Sequence, residues 1–157
     1  MLIFQLPDNV DLRFTDRVLH IFYKHRQFRF YRHESGGIIL GQIFDDFILA
    51  DYVTTPGDGD RRGFFFFHRS QKRAQRIIDE KFIRTAGHRT FLGEWHTHRN
   101  SPPSPSRQDL SEAHRIFKKS ILSLDYIIEV VVGNGNYVGD LWVGCVDDNR
   151  VIKCPRK

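Results

Sequence analysis

Hydrophobic positions along this chain fall into short blocks, and their spacing predicts strands in alternation with helices. The segments MLIFQLP and DLRF at the start indicate a short strand or a hairpin, with Pro7-Asp8-Asn9 as the turn. Two apolar blocks flanked by glycine or aspartate predict buried strands, Gly36 to Phe44 and Phe47 to Thr55. The segment Pro56 to Gly63 is rich in Gly and Asp and predicts a flexible loop. Phe64 to Phe67 has no polar face, so we expect a strand that is buried on both sides.

Three helices are predicted where apolar residues recur every three or four positions. Thr15 is the expected N-cap of the first, from about Asp16 to Arg26. Ser70 opens the second, Gly87 is placed to end it, and Ser106 caps the third. The positions expected to face the core are Val18, Leu19 and Phe22 in the first helix, Ala74, Ile77, Ile78 and Phe82 in the second, and Leu110, Ala113, Phe117 and Ile121 in the third.

The remaining apolar blocks predict three more strands. Phe91 to His98 is one of them. The sequences DYIIEVVVG and YVGDLWVGCV are the other two, and Asn134-Gly135 between them is a strong hairpin turn signal. The alternation of strands and helices predicts an α/β fold, and residues 1–157 form one domain in this interpretation.

Composition argues against a membrane or secreted protein. No stretch approaches eighteen consecutive apolar residues, and the first residues lack the basic and apolar regions of a secretory signal. The two cysteines, Cys145 and Cys154, have no C-x-x-C spacing. We therefore expect a cytoplasmic protein.

The formal charge of +5 raises the possibility of a nucleic-acid partner. Arg69, Lys72, Arg73 and Arg76 fall at helical spacing and would form a basic stripe. A solvated helix face explains such a stripe more simply, and an acidic protein partner would suit it too. No aromatic-interleaved RNA motif or zinc-finger spacing accompanies it, so nucleic-acid binding is not the expected role.

The run from Glu94 to Asp109 carries the residues with the clearest chemistry. His96 and His98 are separated by one residue, so a strand places both imidazoles on one face. Prolines stiffen the connection to Ser106, which starts a helix with Asp109 in its first turn. Two imidazoles and one carboxylate hold zinc with an open fourth position, as a hydrolytic site requires. The run therefore predicts a zinc hydrolase.

Some residues of this constellation have alternative explanations. The spacing of Ser106 and Asp109 is also that of a helix capping box, and both roles can hold together. Hydrolysis also needs a base, and spacing alone does not choose between Glu94, on the histidine face of the strand, and Glu34, directly before a buried strand. Glu94 as a ligand stays open as well. His68 is a further polar group for the site, although a position at the surface end of a strand explains it more simply.

Together these residues resemble the JAMM motif of the JAB1/MPN/Mov34 metalloproteases. The resemblance lies in Glu34 followed by SGGIILG, in His96-Thr97-His98, and in Ser106 and Asp109 at the spacing of the motif. It implies a curved mixed β-sheet flanked by helices, related to the cytidine deaminase fold. It also implies one zinc ion per chain, a general acid/base and an oxyanion-stabilising hydroxyl, and it assigns these roles to the metal ligands His96, His98 and Asp109, to Glu34, and to Ser106.

Within that family, the sequences RHESGGIILG, GEWHTH and FHRSQ most resemble the stand-alone bacterial JAB peptidases of anti-phage operons. The resemblance to the deconjugating peptidases of CBASS systems implies an isopeptidase that works beside an E1/E2-like ligase and releases a cyclic-oligonucleotide synthase (a nucleotidyltransferase) from conjugates. The substrate would be a protein with an extended C-terminal tail bound beside a sheet edge, and the loop Pro56 to Gly63 would form a wall of its groove. Alternatives are a peptidase of a bacterial ubiquitin-like conjugation operon, a sulfur-carrier processing protease, a DNA-linked JAB protein and a non-catalytic scaffold.

One position departs from the motif. Many relatives have proline directly after the second histidine, where this chain has Arg99. The change leaves the ligands intact, so we expect it to alter the shape and charge of the cleft rim and not the metal.

Overall fold

The computed structural model describes residues 1–29 and 32–157. Within these ranges the chain forms three α-helices and two sheets, of eight and two strands. The helices are α1 (Asp16–His25), α2 (Gln71–Arg84) and α3 (Arg107–Lys119). The strands are β1 (Leu2–Gln5), β2 (Asp11–Phe14), β3 (Gly36–Ile43), β4 (Phe47–Val53), β5 (Arg61–Arg62), β6 (Phe67–His68), β7 (Thr90–Thr97), β8 (Ile127–Val132), β9 (Leu141–Val146) and β10 (Val151–Lys153).

The large sheet is mixed and strongly curled. Its strand order is β1-β2-β4-β3-β7-β8-β9-β10, with β2 parallel to β4, β7 parallel to β8 and the other neighbours antiparallel. The chain after β10 returns to β1, where the Gln5 N–H donates to the Pro155 carbonyl at 2.9 Å and the Lys157 N–H donates to the Ile3 carbonyl at 3.0 Å. The two ends of the sheet therefore meet, and the predicted curved mixed sheet with flanking helices is confirmed.

The helices cover opposite faces of this sheet. On one face α1 contributes Val18, Leu19 and Phe22 to a core cluster that includes Trp95 of β7. On the other face α2 and α3 pack over a second cluster built around Ile38, Leu40 and Ile127. Because β7 lies in the middle of the sheet, its successive side chains point alternately to these two faces. This arrangement decides which β7 residues reach the cleft between α2 and α3.

The predicted helix starts are confirmed by their capping contacts. The Thr15 hydroxyl accepts a hydrogen bond from the Val18 N–H, and the Ser70 hydroxyl accepts one from the Arg73 N–H at 3.1 Å. The hairpin at the start of the chain is also confirmed, since β1 pairs with β2 around a 3₁₀ turn at Pro7–Asn9.

The phenylalanine block corrects the sequence-based prediction. The exposed fractions of Phe64, Phe65 and Phe66 are 44%, 82% and 40%, so the predicted strand buried on both faces is wrong. These residues form the tip of a hairpin in which β6 pairs with β5, so the predicted loop Pro56 to Gly63 also contains a short strand. A run without polar residues signals an apolar environment, and periodicity does not say whether the fold or a binding partner supplies it.

Three smaller predictions are also wrong. Ile121, expected in the buried stripe of the third helix, lies beyond the end of α3 and is fully exposed, and Phe82 at the end of α2 is 49% exposed. Asn134-Gly135 belongs to a longer connection between β8 and β9 and is not a two-residue turn. For Ile121 the periodic pattern continues past the residue where the helix ends, whereas Phe82 lies in the last turn of α2 with its ring in solvent.

None of the described helices combines the length and the apolar character needed to cross a membrane.

Candidate metal centre

Strand β7 fixes the direction of the two histidines. Trp95 is 1% exposed on the α1 face, where its indole N–H donates to the Thr54 carbonyl at 2.9 Å. Thr97 is anchored on the same face, because its hydroxyl accepts from the Ser35 N–H at 3.0 Å and donates to Gln27 Oε1 at 3.1 Å. With Trp95 and Thr97 held there, alternation turns His96 and His98 toward the opposite face, as the sequence predicted.

Helix α3 brings the aspartate to these histidines. The Ser106 N–H donates to Asp109 Oδ2 at 2.7 Å, and the Asp109 N–H donates to Ser106 Oγ at 3.1 Å, which completes the capping box. Asp109 Oδ2 lies 3.2 Å from His96 Nε2 and 3.1 Å from His98 Nε2. The cap therefore fixes the carboxylate that meets both imidazoles.

These three side chains have the composition of a zinc site. His96, His98 and Asp109 each offer one ligand atom, and those atoms lie within 4.8 Å of one another. No other group of three or more potential ligands occurs among the residues that the structure describes. Two nitrogens and one oxygen converging from one side fit a tetrahedral ion that keeps its fourth position open toward the cleft.

The short distances between these side chains shift the pKa values of His96 and Asp109. Burial favours neutral His96, but its hydrogen bonds to Asp109 and Glu129 outweigh burial and raise its pKa to about 10. Burial also opposes the charge on Asp109, yet the bonds from His96 and His98 hold the pKa of this carboxyl well below its usual range. Both pKa shifts arise because the two imidazoles and the Asp109 carboxylate lie in direct contact, in a place where a divalent cation would satisfy the same carboxylate.

Glu129 is a member of this site that the sequence analysis missed. It is 4% exposed in the otherwise apolar strand β8, and its Oε1 lies 3.0 Å from His96 Nδ1. A carboxylate on Nδ1 leaves Nε2 of the same ring directed at a metal, the arrangement common around zinc-bound histidines. Burial raises the pKa of Glu129 to about 7, against the lowering effect of His96. The sequence signal was a single charged residue within IIEVVV.

Glu34 approaches the histidines from the neighbouring strand. β3 pairs antiparallel with β7 so that Gly36 lies opposite His96, and Glu34 precedes this pair by two residues. The backbone of Glu34 is fixed, since its N–H donates to the Gly63 carbonyl at 2.7 Å and its carbonyl accepts from Arg62 Nε at 2.9 Å. Its carboxylate lines the same cleft as His96 and Asp109.

The glycines after Glu34 allow this close packing. A Cβ added to Gly36 would lie 2.6 Å from a ring carbon of Phe67, and one added to Gly37 would lie 2.4 Å from the Thr54 carbonyl oxygen. Side chains at either position would push the hairpin or β4 away from β3. Because Gly36 has no side chain, the ring of Phe67 packs directly against β3, and this places the phenylalanine hairpin beside Glu34.

The environment of Glu34 suits a proton acceptor. The side chain is buried, and burial raises its pKa to about 6, although the positive charges of His96 and His98 act to lower it. A carboxyl with a pKa near the operating pH is well matched to taking and returning a proton.

Glu94 has a different environment. It faces the cleft as alternation predicted, but it forms an ion pair with Arg69 and lies outside the three-residue ligand cluster. Burial raises its pKa, and the charge of Arg69 opposes that effect. Because its carboxylate is paired with Arg69, Glu94 is the weaker candidate for the base. His68, also outside the cluster, is exposed on β6 beside the Phe66 ring.

The cleft that contains these residues has a volume of about 720 Å³. It runs between α2 and α3, and its lining includes the whole segment from Phe64 to Arg69. The prediction that the loop Pro56 to Gly63 forms a wall of the cleft is therefore wrong. The hairpin tip that follows this loop forms that wall. The basic stripe is also partly neutralised, because Arg69 pairs with Glu94 and Arg73 lies 3.3 Å from Asp60.

Comparison with known proteins agrees with this geometry. Residues 15–142 match the family model described as prokaryotic homologs of the JAB domain. Proteins named CD-NTase/cGAS isopeptidase from Vibrio cholerae and Pseudomonas aeruginosa are both 30% identical to this chain, over 76% and 81% of it and over 72% and 80% of their own lengths. One of the same name from Escherichia coli is 27% identical over 85% of this chain and 80% of its own length.

Solved structures share the fold at low sequence identity. A solution structure of a Desulfitobacterium hafniense protein has a TM-score of 0.59 and 16% identity, covering 90% of this chain and 88% of that one. A Salinibacter ruber protein has a TM-score of 0.54 and 17% identity, with coverage of 92% and 88%. The family match spans most of the chain and includes His96, His98 and Asp109. The chain therefore belongs to the prokaryotic homologs of the JAB domain.

Proposed function

We propose that this chain is a zinc-dependent isopeptidase of the JAMM type. The observation that carries the proposal is the convergence of His96, His98 and Asp109 within 4.8 Å, in the cleft that Glu34 also lines. Membership of the JAB family and the isopeptidase names of its relatives support it. Zinc bound by the three ligands would polarise the scissile carbonyl and lower the pKa of a water molecule.

In the proposed reaction Glu34 moves the proton. Its carboxylate accepts a proton from the attacking water and later donates one to the departing amine, so the same group acts first as base and then as acid. The pKa of about 6 allows both states near neutral pH. Burial just before the start of β3, with the backbone hydrogen-bonded to Gly63 and Arg62, limits the positions that this carboxylate can adopt.

Ser106 has the proposed role of oxyanion donor. Its Oγ accepts from the Asp109 N–H, which uses a lone pair and leaves the hydroxyl hydrogen available. Ser106 also lines the cleft, where that hydrogen can be donated to the carbonyl oxygen as negative charge develops. The capping role and the catalytic role are therefore compatible.

The proposed substrate is a protein joined through its C-terminus to a target amine. By analogy with the relatives' names, the joined protein is a CD-NTase, the cyclic-oligonucleotide synthase of a CBASS-type anti-phage system, and an E1/E2-like ligase makes the conjugate. We place this reaction in the cytoplasm and assign it to one domain spanning residues 1–157. The tail would lie extended along the cleft, beside the exposed hairpin of Phe64 to Phe67.

The proposal is tested by incubating the zinc-loaded chain with a CD-NTase joined through its C-terminus to a reporter protein. Mass spectrometry of the products identifies the cut bond, which should follow the last residue of the CD-NTase. Glu34→Gln should retain zinc, measured by atomic absorption, and lose turnover by about a hundredfold or more. His96→Ala should lose both metal and activity.

Two results would contradict this function. One is full activity of the Glu34→Gln variant. The other is zinc-loaded wild-type protein that cuts no C-terminal fusion but binds DNA with an affinity that falls steeply with salt, which would favour the DNA-linked alternative.

A further inference from the structure

Arg99 occupies the cleft directly after the second histidine. Its guanidinium carbon lies 5.0 Å from the ring centroid of Phe64 and 5.1 Å from that of Phe65. Among the residues that the structure describes, its Nη2 has one weak contact, 3.5 Å to the Arg32 carbonyl, and its buried Nε has no hydrogen-bond partner. The aromatic rings therefore hold the guanidinium in place while its hydrogen-bonding capacity is largely unused.

This arginine differs from the cations of the sheet and the cleft that are paired with a carboxylate. Arg69 pairs with Glu94, Arg73 lies 3.3 Å from Asp60, and Arg89 lies 2.8 Å from Asp51. Over residues 1–29 and 32–157, by contrast, no carboxylate lies within 4.0 Å of the Arg99 guanidinium. A buried polar atom without a partner is rare in folded proteins and calls for an explanation.

We propose that Arg99 and the rings of Phe64 and Phe65 form a carboxylate-binding subsite for an acidic side chain of the substrate tail. The subsite rests on the proposed function, because it needs a tail that passes through the cleft. A guanidinium donates two parallel hydrogen bonds to a carboxylate, and the flanking rings support the guanidinium by cation–π contact. The 82% exposed Phe65 offers apolar contact to the stem of the same side chain or to a neighbouring residue.

The surrounding charges favour a single carboxylate over a polyanion. Glu94 and Glu112 in the cleft lining are paired with Arg69 and Arg115, so among the described lining arginines Arg99 is the one whose guanidinium is left for a single carboxylate. One acidic side chain can contact Arg99 without approaching all of these glutamates. The ligand class is therefore an Asp or Glu near the scissile bond of a protein.

The test uses the zinc-loaded full chain and reporter fusions with short synthetic tails. The tails differ at one position at a time, which carries either Glu or Gln. At one position near the cut bond, the Glu tail should be cleaved with a kcat/KM about tenfold or more above that of the Gln tail, as a charge-assisted hydrogen bond gives. Raising the salt concentration should reduce this ratio.

Variants of the arginine assign the preference to its side chain. Arg99→Gln should bring the ratio close to one, Arg99→Lys should keep part of it, and Arg99→Glu should shift the preference to Lys at that tail position. Lys119→Gln is the matched control, because it removes another positive charge from the cleft lining and should leave the ratio unchanged. Equal cleavage of Glu and Gln tails by the wild type would overturn the subsite, as would a preference that survives in Arg99→Gln.

A binding experiment separates this inference from the proposed function. Calorimetry with the zinc-loaded Glu34→Gln variant measures the Kd of the same uncut tails, whether or not any tail is hydrolysed. A Kd about tenfold lower for the Glu tail supports the subsite. Equal Kd values for the Glu and Gln tails overturn it, whereas cleavage of neither tail by the wild type contradicts only the proposed function.

Discussion

The contact between Glu129 and His96 gives a prediction about metal affinity. Glu129 Oε1 lies 3.0 Å from His96 Nδ1, and the carboxylate is 4% exposed. Glu129→Gln keeps an acceptor of nearly the same shape but removes its charge, whereas Glu129→Ala removes the acceptor as well. Loss of such partners of zinc-bound histidines typically weakens metal binding by about 10- to 100-fold. We expect about tenfold for Glu129→Gln, or about 1.4 kcal/mol of binding free energy, and about a hundredfold for Glu129→Ala.

The assay is a competition for zinc between the protein and a chromophoric chelator at fixed pH, which gives Kd for each variant. Glu94→Gln is the matched control, because Glu94 lies opposite Glu129 in the strand register and faces the same side of the sheet. Its carboxylate pairs with Arg69 and not with a ligand histidine, so its loss should change the zinc Kd by much less than Glu129→Gln does. Circular dichroism of the metal-free variants verifies that each is folded.

A specific pattern would refute this reasoning. If Glu129→Gln and Glu129→Ala, both folded, bind zinc as tightly as the wild type, then Glu129 does not orient the His96 ring. If Glu94→Gln weakens zinc as much as Glu129→Gln does, the effect is one of general negative charge near the site and not of the contact with Nδ1.

Three further predictions test other parts of the structure. Ser106→Ala should lower the free energy of unfolding, measured with urea, by about 1 kcal/mol because the α3 cap is lost. It should also lower kcat by about a hundredfold or more because the oxyanion donor is lost, and an unchanged kcat would contradict that role. Phe65→Ala should change the free energy of unfolding by less than about 0.5 kcal/mol, because the ring is 82% exposed. It should raise KM for tail substrates, and an unchanged KM would show that Phe65 does not contact the tail. Removing zinc with a chelator should lower Tm, because a ligand at about 100 times its Kd stabilises the folded state by about 2.7 kcal/mol. A Tm that does not respond to zinc would argue against a metal site.

Local patterns were sufficient for much of the fold. Thr15, Ser70 and Ser106 were expected as helix caps, and each side chain accepts the backbone hydrogen bond expected of a cap. Alternation along β7 placed His96 and His98 on one face. These features depend on residues within a few positions of one another, so the sequence around each of them contains the needed information.

The exposed hairpin shows where such patterns fail. Phe64, Phe65 and Phe66 have the composition of a buried strand, yet they project beside the cleft. Their burial depends on what packs against them, and it is the ring of Phe67 that lies against Gly36 of β3. An apolar run therefore indicates that its side chains need apolar contacts, but it does not indicate whether the fold or a binding partner provides them.

By itself the sequence determined the three metal-ligand candidates, their common orientation and the helix that carries the aspartate, because all of these follow from short-range spacing. Only the tertiary structure decided which partner each of the three glutamates meets. Antiparallel pairing of β3 with β7 brings Glu34 to the histidines, parallel pairing with β8 places Glu129 behind His96, and Arg69 on the hairpin side neutralises Glu94. Strand order and register bring together residues that are far apart in the chain. The local periodicity of the sequence therefore does not indicate which carboxylate contacts an imidazole and which contacts an arginine.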